Sequence, residues 1–132
     1  MFDLKKIENG RMNVPEPMFL EAKASEAIAY GEALVLSSGK LTKCGATTKP
    51  EFIALCAVDA AATDREIPVC RVESNQVYDV PCTVAPTSLV PGAKVTINSD
   101  GLQVTGTTSD GVATVISNNG GTKAGDIITV RF

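Results

Sequence analysis

The sequence predicts an all-β protein, a compact barrel or sandwich built from two tandem, similar β units. The first observation is a succession of short Val, Ile, Leu and Thr runs separated by Gly, Pro, Asn, Asp and Ser. The second is that the chain repeats itself at a spacing of about 60 residues. The third is that residues 25–34, which alone would fit a helix, correspond to a second segment with two prolines. The chain of 132 residues is 44% hydrophobic, which is enough to build a core.

The repeat is clearest at two glycines, Gly31 and Gly92. Each begins the pattern Gly-x-x-aliphatic-x-aliphatic, and the two patterns lie 61 residues apart. After the next turn the spacing becomes 60, and residues 66–72 match residues 126–132. The copies therefore span about 31–72 and 92–132. Because units of about 42 residues are marginal alone, we expect both copies to share one β domain over 28–132.

A turn in the first copy, residues 37–40, has the sequence Ser-Ser-Gly-Lys and resembles part of a phosphate-binding loop. A Walker loop needs a glycine five positions before this glycine and a Ser or Thr after the lysine. The sequence has Leu34 and Leu41 at those places. The second copy has Asn-Ser-Asp-Gly in the corresponding turn, which favours a hairpin over a nucleotide site.

Two segments lie outside the copies. Residues 73–91 include the alternating sequence Val-Tyr-Asp-Val-Pro and are predicted to form a strand-like linker. Residues 1–27 contain Pro15 and Pro17 and have no recognisable counterpart before the second copy. We expect them to form an extended N-terminal arm.

Composition argues against several functions. The net charge of −3 disfavours binding to nucleic acid or to an anionic membrane. The absence of histidine removes the commonest general base and metal ligand. No run approaches the ~20 apolar residues of a membrane span, and residues 1–17 lack the apolar run of a signal peptide. We expect a cytoplasmically synthesised, non-enzymatic protein without a cofactor.

The four cysteines, Cys44, Cys56, Cys70 and Cys82, form no Cys-x-x-Cys pair. The alignment of the copies places the first three opposite aliphatic residues, namely Val104, Ile116 and Val130. This favours buried thiols, since a buried cysteine behaves as a small hydrophobic residue. One or two disulfides, a metal site and a reactive thiol remain alternatives.

A charged group follows the apolar run 53–58 and consists of Asp59, Asp64, Arg65 and Glu66. Two of its carboxylates would suit acid–base chemistry. The corresponding stretch of the second copy is mostly neutral, which favours a solvated turn. An enzyme with cysteine or carboxylate chemistry is therefore a minor alternative.

The order of these elements resembles the small capsid decoration, or head-stabilising, proteins of tailed bacteriophages. The resemblance rests on a Gly-x-x-Leu-x-Leu unit, a Thr-rich loop, FIALCAVDAAATDREIPVCRV, VYDVP and a second unit ending in DIITVRF. It covers most of residues 28–132. It implies a barrel-like fold, a homo-oligomer that is often a trimer, the major capsid protein as partner, and a place on the outer surface of the virion.

The resemblance also implies that the protein stabilises an assembled capsid, and we expect the arm to contribute by adding a strand to a capsid edge. The expected capsid contacts are Val14, Pro15, Pro17, Met18, Phe19 and Leu20. The alternative is a β binding module that recognises glycan through its Thr- and Asn-rich loops. The aromatic content of 5% counts against it, because sugar rings usually stack on aromatic side chains.

Overall fold

The structure is a computed structural model and describes residues 1–8 and 15–132. The described part contains ten strands and one short 3-10 helix, Pro86–Ser88. The strands are β1 (Asp3–Ile7), β2 (Met18–Ala22), β3 (Ala33–Ser37), β4 (Lys40–Lys43), β5 (Phe52–Ala54), β6 (Arg65–Arg71), β7 (Gln76–Pro81), β8 (Lys94–Val95), β9 (Ala113–Ser117) and β10 (Ile127–Arg131). The predicted all-β class is confirmed.

The first unit, β2–β6, is a closed barrel in the order β2-β4-β3-β5-β6. Its antiparallel contacts include the whole of β2 against β6. The ring closes where β2 runs parallel to β4, with Ala22 opposite Leu41. The N–H of Lys23 donates to the carbonyl of Leu41 at 3.0 Å and extends this closure. Closing the ring pairs backbone groups that an open sheet would leave at its edges.

The second unit, β7–β10, forms a sheet to which β1 adds a strand, in the order β1-β7-β10-β9-β8. Val104 links the two ends of this unit, because it pairs antiparallel with Ile97 and parallel with Cys82. Its N–H donates to the carbonyl of Pro81 at 3.0 Å, and its carbonyl accepts from Thr83 at 2.8 Å. The second unit therefore follows the same circuit of strand pairing as the barrel.

The register shows which residues of the two units are equivalent. Leu20 of β2 lies opposite Ile67 of β6, and Val80 of β7 lies opposite Ile128 of β10. The spacing is thus 60 residues for the first strand of each unit (80 − 20) and 61 for the last (128 − 67). The first unit therefore begins at β2, and the second begins at β7.

The structure differs from the expected extended arm over 1–27, because this segment supplies β1 to the second unit and β2 to the barrel. The strand expected within the linker over 73–91 is present as β7, and it is the first strand of the second unit. The physical reason is burial: Phe2 and Ala22 are enclosed in the two cores, and β2 pairs on both of its sides. Prolines at positions 15 and 17 precede β2 rather than interrupt it.

The alignment of the last strands also differs, by one residue, from the spacing of 60 expected from the sequence. Val69 lies opposite Ala54, and Val130 lies opposite Val115, so Val69 and Val130 are equivalent. Arg71 and Arg131, which match in the sequence, therefore occupy different places. In the same way Leu41, and not Cys44, is the equivalent of Val104. Leu41 and Val104 both follow a turn, and both pair with the segment that precedes that turn.

Two hydrophobic cores stabilise the molecule. One fills the barrel and includes Leu34, Leu41, Ile67 and Val69. The other fills the second unit and extends onto the outer face of the barrel, where it takes in Ala33, Cys44 and Ile53. The second core thus also forms the interface between the two units.

An aromatic cluster anchors β1 to the second unit. The ring of Phe2 lies 6.4 Å from that of Tyr78 and 5.4 Å from that of Phe132, measured between centroids. Tyr78 and Phe132 are 5.7 Å apart. Tilted and edge-on pairs at these distances add to the free energy of burial. The first residues of the chain therefore belong to the core.

All four cysteines are free. Cys44, Cys70 and Cys82 are buried, whereas Cys56 is partly exposed. Burial raises the pKa of the Cys44 thiol to about 12, and the Cys44 Sγ donates to the carbonyl of Thr48 at 2.9 Å. Burial also raises the pKa values of Cys56 and Cys70. High thiol pKa values lower reactivity, since the thiolate is the nucleophile.

No helix among residues 1–8 and 15–132 is long and apolar enough to cross a membrane.

We predict that Phe2→Ala lowers the free energy of unfolding by about 3–5 kcal/mol, because it removes a buried aromatic side chain and leaves a cavity. Urea unfolding measures this change. Leu4→Ala, on the same strand but 37% exposed, serves as the control and should cost less than about 1 kcal/mol. Equal effects of the two substitutions would contradict the burial of Phe2.

A second prediction concerns the thiols. In the native protein a disulfide reagent should react first with Cys56, and with the other three cysteines only as the protein opens, because burial limits access to them. Four thiols should react in denaturant. Timed labelling with mass analysis measures both stages, and Cys56→Ser should remove the fast phase. Fast native labelling of Cys82 would contradict its burial in the second core.

Candidate binding surface

Strand β2 divides its side chains between the inside and the outside of the barrel. Leu20 and Ala22 pack into the barrel core, as alternation along a strand requires. Phe19 and Glu21 point outward. Phe19 is 61% exposed, which is unusual for a large aromatic side chain. The rigid barrel therefore presents a phenyl ring to solvent.

Two further apolar side chains extend this surface across the barrel. Phe19 on β2 lies directly opposite Pro68 on β6. The carbonyl of Pro68 accepts a hydrogen bond of 3.0 Å from the N–H of Leu55, which follows β5. Leu55 is exposed and Pro68 is half-buried. We call Phe19, Pro68 and Leu55 the apolar row.

The equivalent surface of the second unit is polar. Asp79 lies opposite Thr129, in the places that Phe19 and Pro68 occupy in the barrel. The Lys5 Nζ donates to Asp79 at 3.0 Å and to Thr129 at 3.1 Å. The Asn119 side chain donates to Thr129 at 3.1 Å. One backbone arrangement thus carries a hydrogen-bonded polar group in one unit and an exposed apolar row in the other.

Two prolines precede the edge of β2 that points toward β4. The N–H of Lys23 points toward β4, so alternate residues of β2 before it direct their backbone groups to the same side. Pro15 and Pro17 lie just before β2 and have no N–H to donate. A strand added along this edge would therefore receive no hydrogen bond from these two positions.

The residues expected to contact a capsid have different positions. Val14 lies outside the described residues. Met18 and Phe19 are exposed, Pro17 is exposed, and Pro15 and Leu20 are half-buried, with Leu20 against the barrel core. Residues 18–22 pair with β6 along their whole length and with β4 only at Ala22, so another sheet could reach this segment only along the edge that faces β4.

Sequence reasoning missed Pro68 and Leu55. They lie far from Phe19 in the chain, and only the pairing of β2, β6 and β5 brings the three together. A weak signal was present, because the alternation of Ile67 and Val69 around Pro68 marks that proline as outward-facing.

The charged group predicted as a solvated turn lies on the barrel surface. The Lys40 Nζ donates to Asp64 at 2.6 Å, and the N–H of Ala24 donates to the same carboxylate at 2.9 Å. The hydrogen bond from Lys40 and that from Ala24 hold the pKa of Asp64 below its usual value. A carboxylate held ionised in this way is a poor general acid. Within the described ranges, no group of three His, Cys, Asp or Glu side chains converges to hold a metal ion.

Comparison with known proteins identifies a shared fold. No family model matches the chain, and no curated protein matches it. Among solved structures, it is similar to the head fiber gp8.5 N base of bacteriophage phi29, with a TM-score of 0.59 and 15% sequence identity. The match covers 89% of this chain and 94% of that chain. At this identity the likeness establishes the fold, which this chain has in common with a protein of a phage head.

Proposed function

We propose that the chain is a non-enzymatic structural protein of a bacteriophage virion, which binds the outer surface of the assembled capsid and stabilises it. The observation that carries the proposal is the fold shared with the phi29 head fiber base over 89% of this chain. The match spans both units, so it concerns the whole arrangement rather than one common barrel. Fold alone does not specify function, and the apolar row supplies the local argument.

The apolar row has the properties of a protein-binding hot spot. A phenyl ring that becomes fully buried gains about 1.5–3 kcal/mol, and exposed aromatic anchors dominate many interfaces. Phe19 and Pro68 lie on paired strands of a closed barrel, so little conformational entropy is lost when they bind. We propose the major capsid protein as the partner of this row, with Met18 and Pro17 at its margin.

The proposed stabilisation follows from mass action. A protein that binds only the assembled shell stabilises it by about 2.7 kcal/mol per site when its free concentration is 100 times the Kd. We expect a homo-oligomer, with a trimer favoured, because several apolar rows would then engage neighbouring capsid subunits together. Linked contacts of this kind multiply weak affinities through effective concentration.

The glycan alternative has less support from the side chains. Four of the six aromatic residues, Phe2, Phe52, Tyr78 and Phe132, are buried. The Thr- and Asn-rich loops 45–51, 105–111 and 117–126 contain no aromatic residue. Sugar stacking would thus have to rely on Phe19 or Tyr30.

We predict that Phe19→Asp weakens binding to shells of the cognate major capsid protein at least ~10-fold, because it removes apolar contact and adds a charge that must be desolvated. Co-sedimentation at several protein concentrations measures the affinity. The substitution lies on the barrel exterior, so the urea midpoint and the oligomer mass by light scattering should remain close to those of the wild type.

Val90→Asp is the matched control, because Val90 is also 61% exposed but lies in a turn of the second unit. It should bind shells as the wild type does. Equal loss in both variants would indicate a general effect of added negative charge. Undiminished binding of Phe19→Asp would exclude the apolar row as the contact.

A further inference from the structure

A groove lies where the barrel meets the second unit, and none of the residues that line it belongs to the apolar row. Its volume is 590 Å³. Small side chains, among them Ala27 and Ala57, line this groove, so the backbone of a partner chain can approach closely. Three carboxylates and one ammonium group also line it, those of Glu32, Asp59, Asp100 and Lys43. The groove is therefore open and carries a net negative charge.

Glu32 is the unusual member of this group, because its side chain is only 2% exposed. It follows a tight turn in which Gly31 has a φ of 73° and the N–H of Glu32 donates to the carbonyl of Ala29 at 3.1 Å. One carboxylate oxygen, Oε2, accepts the N–H of Ala29 at 2.7 Å. The turn at Gly101 of the second unit packs against the Glu32 side chain, where a Cβ would lie 2.9 Å from its Cγ.

The other oxygen of Glu32 is left without a hydrogen bond from the described residues. The Nζ of Lys43 is 3.4 Å from this Oε1, which gives an ion pair but lacks hydrogen-bond geometry. A buried acceptor without its hydrogen bond costs about 1–3 kcal/mol, and a charged one costs more. Lys43 itself is 39% exposed and has solvent into which it can move.

The second unit shows that the fold does not require this carboxylate. Gly92, with a φ of 91°, occupies the place of Gly31, and the N–H of Ala93 donates to the carbonyl of Val90 at 3.0 Å. Ala93 thus closes the same turn that Glu32 closes in the barrel. A buried charge at a position where alanine suffices indicates a role other than folding.

We propose that this groove binds a cationic side chain, the guanidinium or ammonium group of an arginine or lysine on a partner polypeptide, with Glu32 Oε1 as its acceptor. Asp59 and Asp100 attract the cation, and charge complementarity identifies the partner segment as basic. Guanidinium is the better ligand of the two, because its fork of donors reaches a carboxylate in a bidentate manner. Lys43 holds the place of this cation in the free protein and moves aside on binding. The site shares no residue with the apolar row and does not depend on the proposed capsid contact.

The test is a titration of the full chain followed by two-dimensional amide NMR. The probes are methylguanidinium, methylammonium and the neutral methylurea. We expect saturable shifts near Ala29, Lys43 and Asp59 with the two cations, millimolar affinity, and no such shifts with methylurea. A blocked Gly-Arg-Gly peptide should bind at least threefold more tightly than methylguanidinium, and its citrulline analogue should not bind.

Variants separate the site from general charge. Glu32→Gln should weaken binding of the arginine peptide at least 10-fold while the spectrum away from the groove remains unchanged. Glu66→Gln removes an exposed carboxylate on β6 and should leave binding unchanged. Equal losses in both variants, shifts with methylurea, or a peptide that fails to bind would each overturn the proposal.

A stability readout follows from the same carboxylate. Burial raises the pKa of Glu32, and the groups facing it are Lys43, Glu26, Asp59 and Asp100. In the pH range between its unfolded and folded pKa values, the folded state binds more protons at Glu32 than the unfolded state. Its contribution to stability is therefore greatest below the unfolded value and declines as pH rises through the folded value.

We predict that the urea midpoint of the wild type falls relative to that of Glu32→Gln between pH 4 and pH 7. Saturating arginine peptide should recover this difference at pH 7, since it supplies the missing donor. A difference that is independent of pH, or that the peptide does not change, would show that Glu32 serves only to join the two units.

Discussion

The parallel pair that closes each unit at the end of its first strand is the constraint on which the other features depend. In the barrel it joins Ala22 to Leu41, and in the second unit it joins Cys82 to Val104. Without it, β2 would pair only with β6, and the sheet would have open edges at β2 and β4. With β2 held in a closed ring, Leu20 faces the core and Phe19 faces solvent, because side chains alternate along a strand. The exposure of Phe19 thus follows from the place of β2 in the barrel.

The two units act as internal references for each other. Where equivalent positions keep the same backbone but differ in chemistry, the shared backbone does not require the difference. Phe19 against Asp79 is one such pair, and Glu32 against Ala93 is the other. Both differences place a group in the barrel that an isolated domain would not benefit from, an exposed ring in one case and a buried carboxylate in the other.

The sequence allowed the fold class to be predicted because turns and aliphatic runs have local signals. Gly31 and Gly92, which begin the repeated pattern, both take positive φ values. The first strands are hard to recognise as a pair, since only their alternate apolar residues correspond, whereas Phe19 stands opposite Asp79 and Glu21 opposite Pro81 in the alignment. The last strands were misaligned by one residue, because Ile127 and Ile128 are adjacent and either of them can be matched to Ile67. The contacts of Phe19 with β6 and of Glu32 with the second unit depend on pairing between distant segments, which carries no local signal.

The apolar row and the groove are also alike in that neither stabilises the free protein. An exposed phenyl ring gains nothing in the free protein, and a buried carboxylate without a full set of donors destabilises it. Natural proteins retain such features where a bound state repays them, since stability is commonly exchanged for function. The barrel has its own core, and the second core packs against its outer face, so the barrel can tolerate both the exposed ring and the buried carboxylate. The second unit has a hydrogen-bonded polar group and an alanine turn at the equivalent places, and its core packs against the outer face of the barrel.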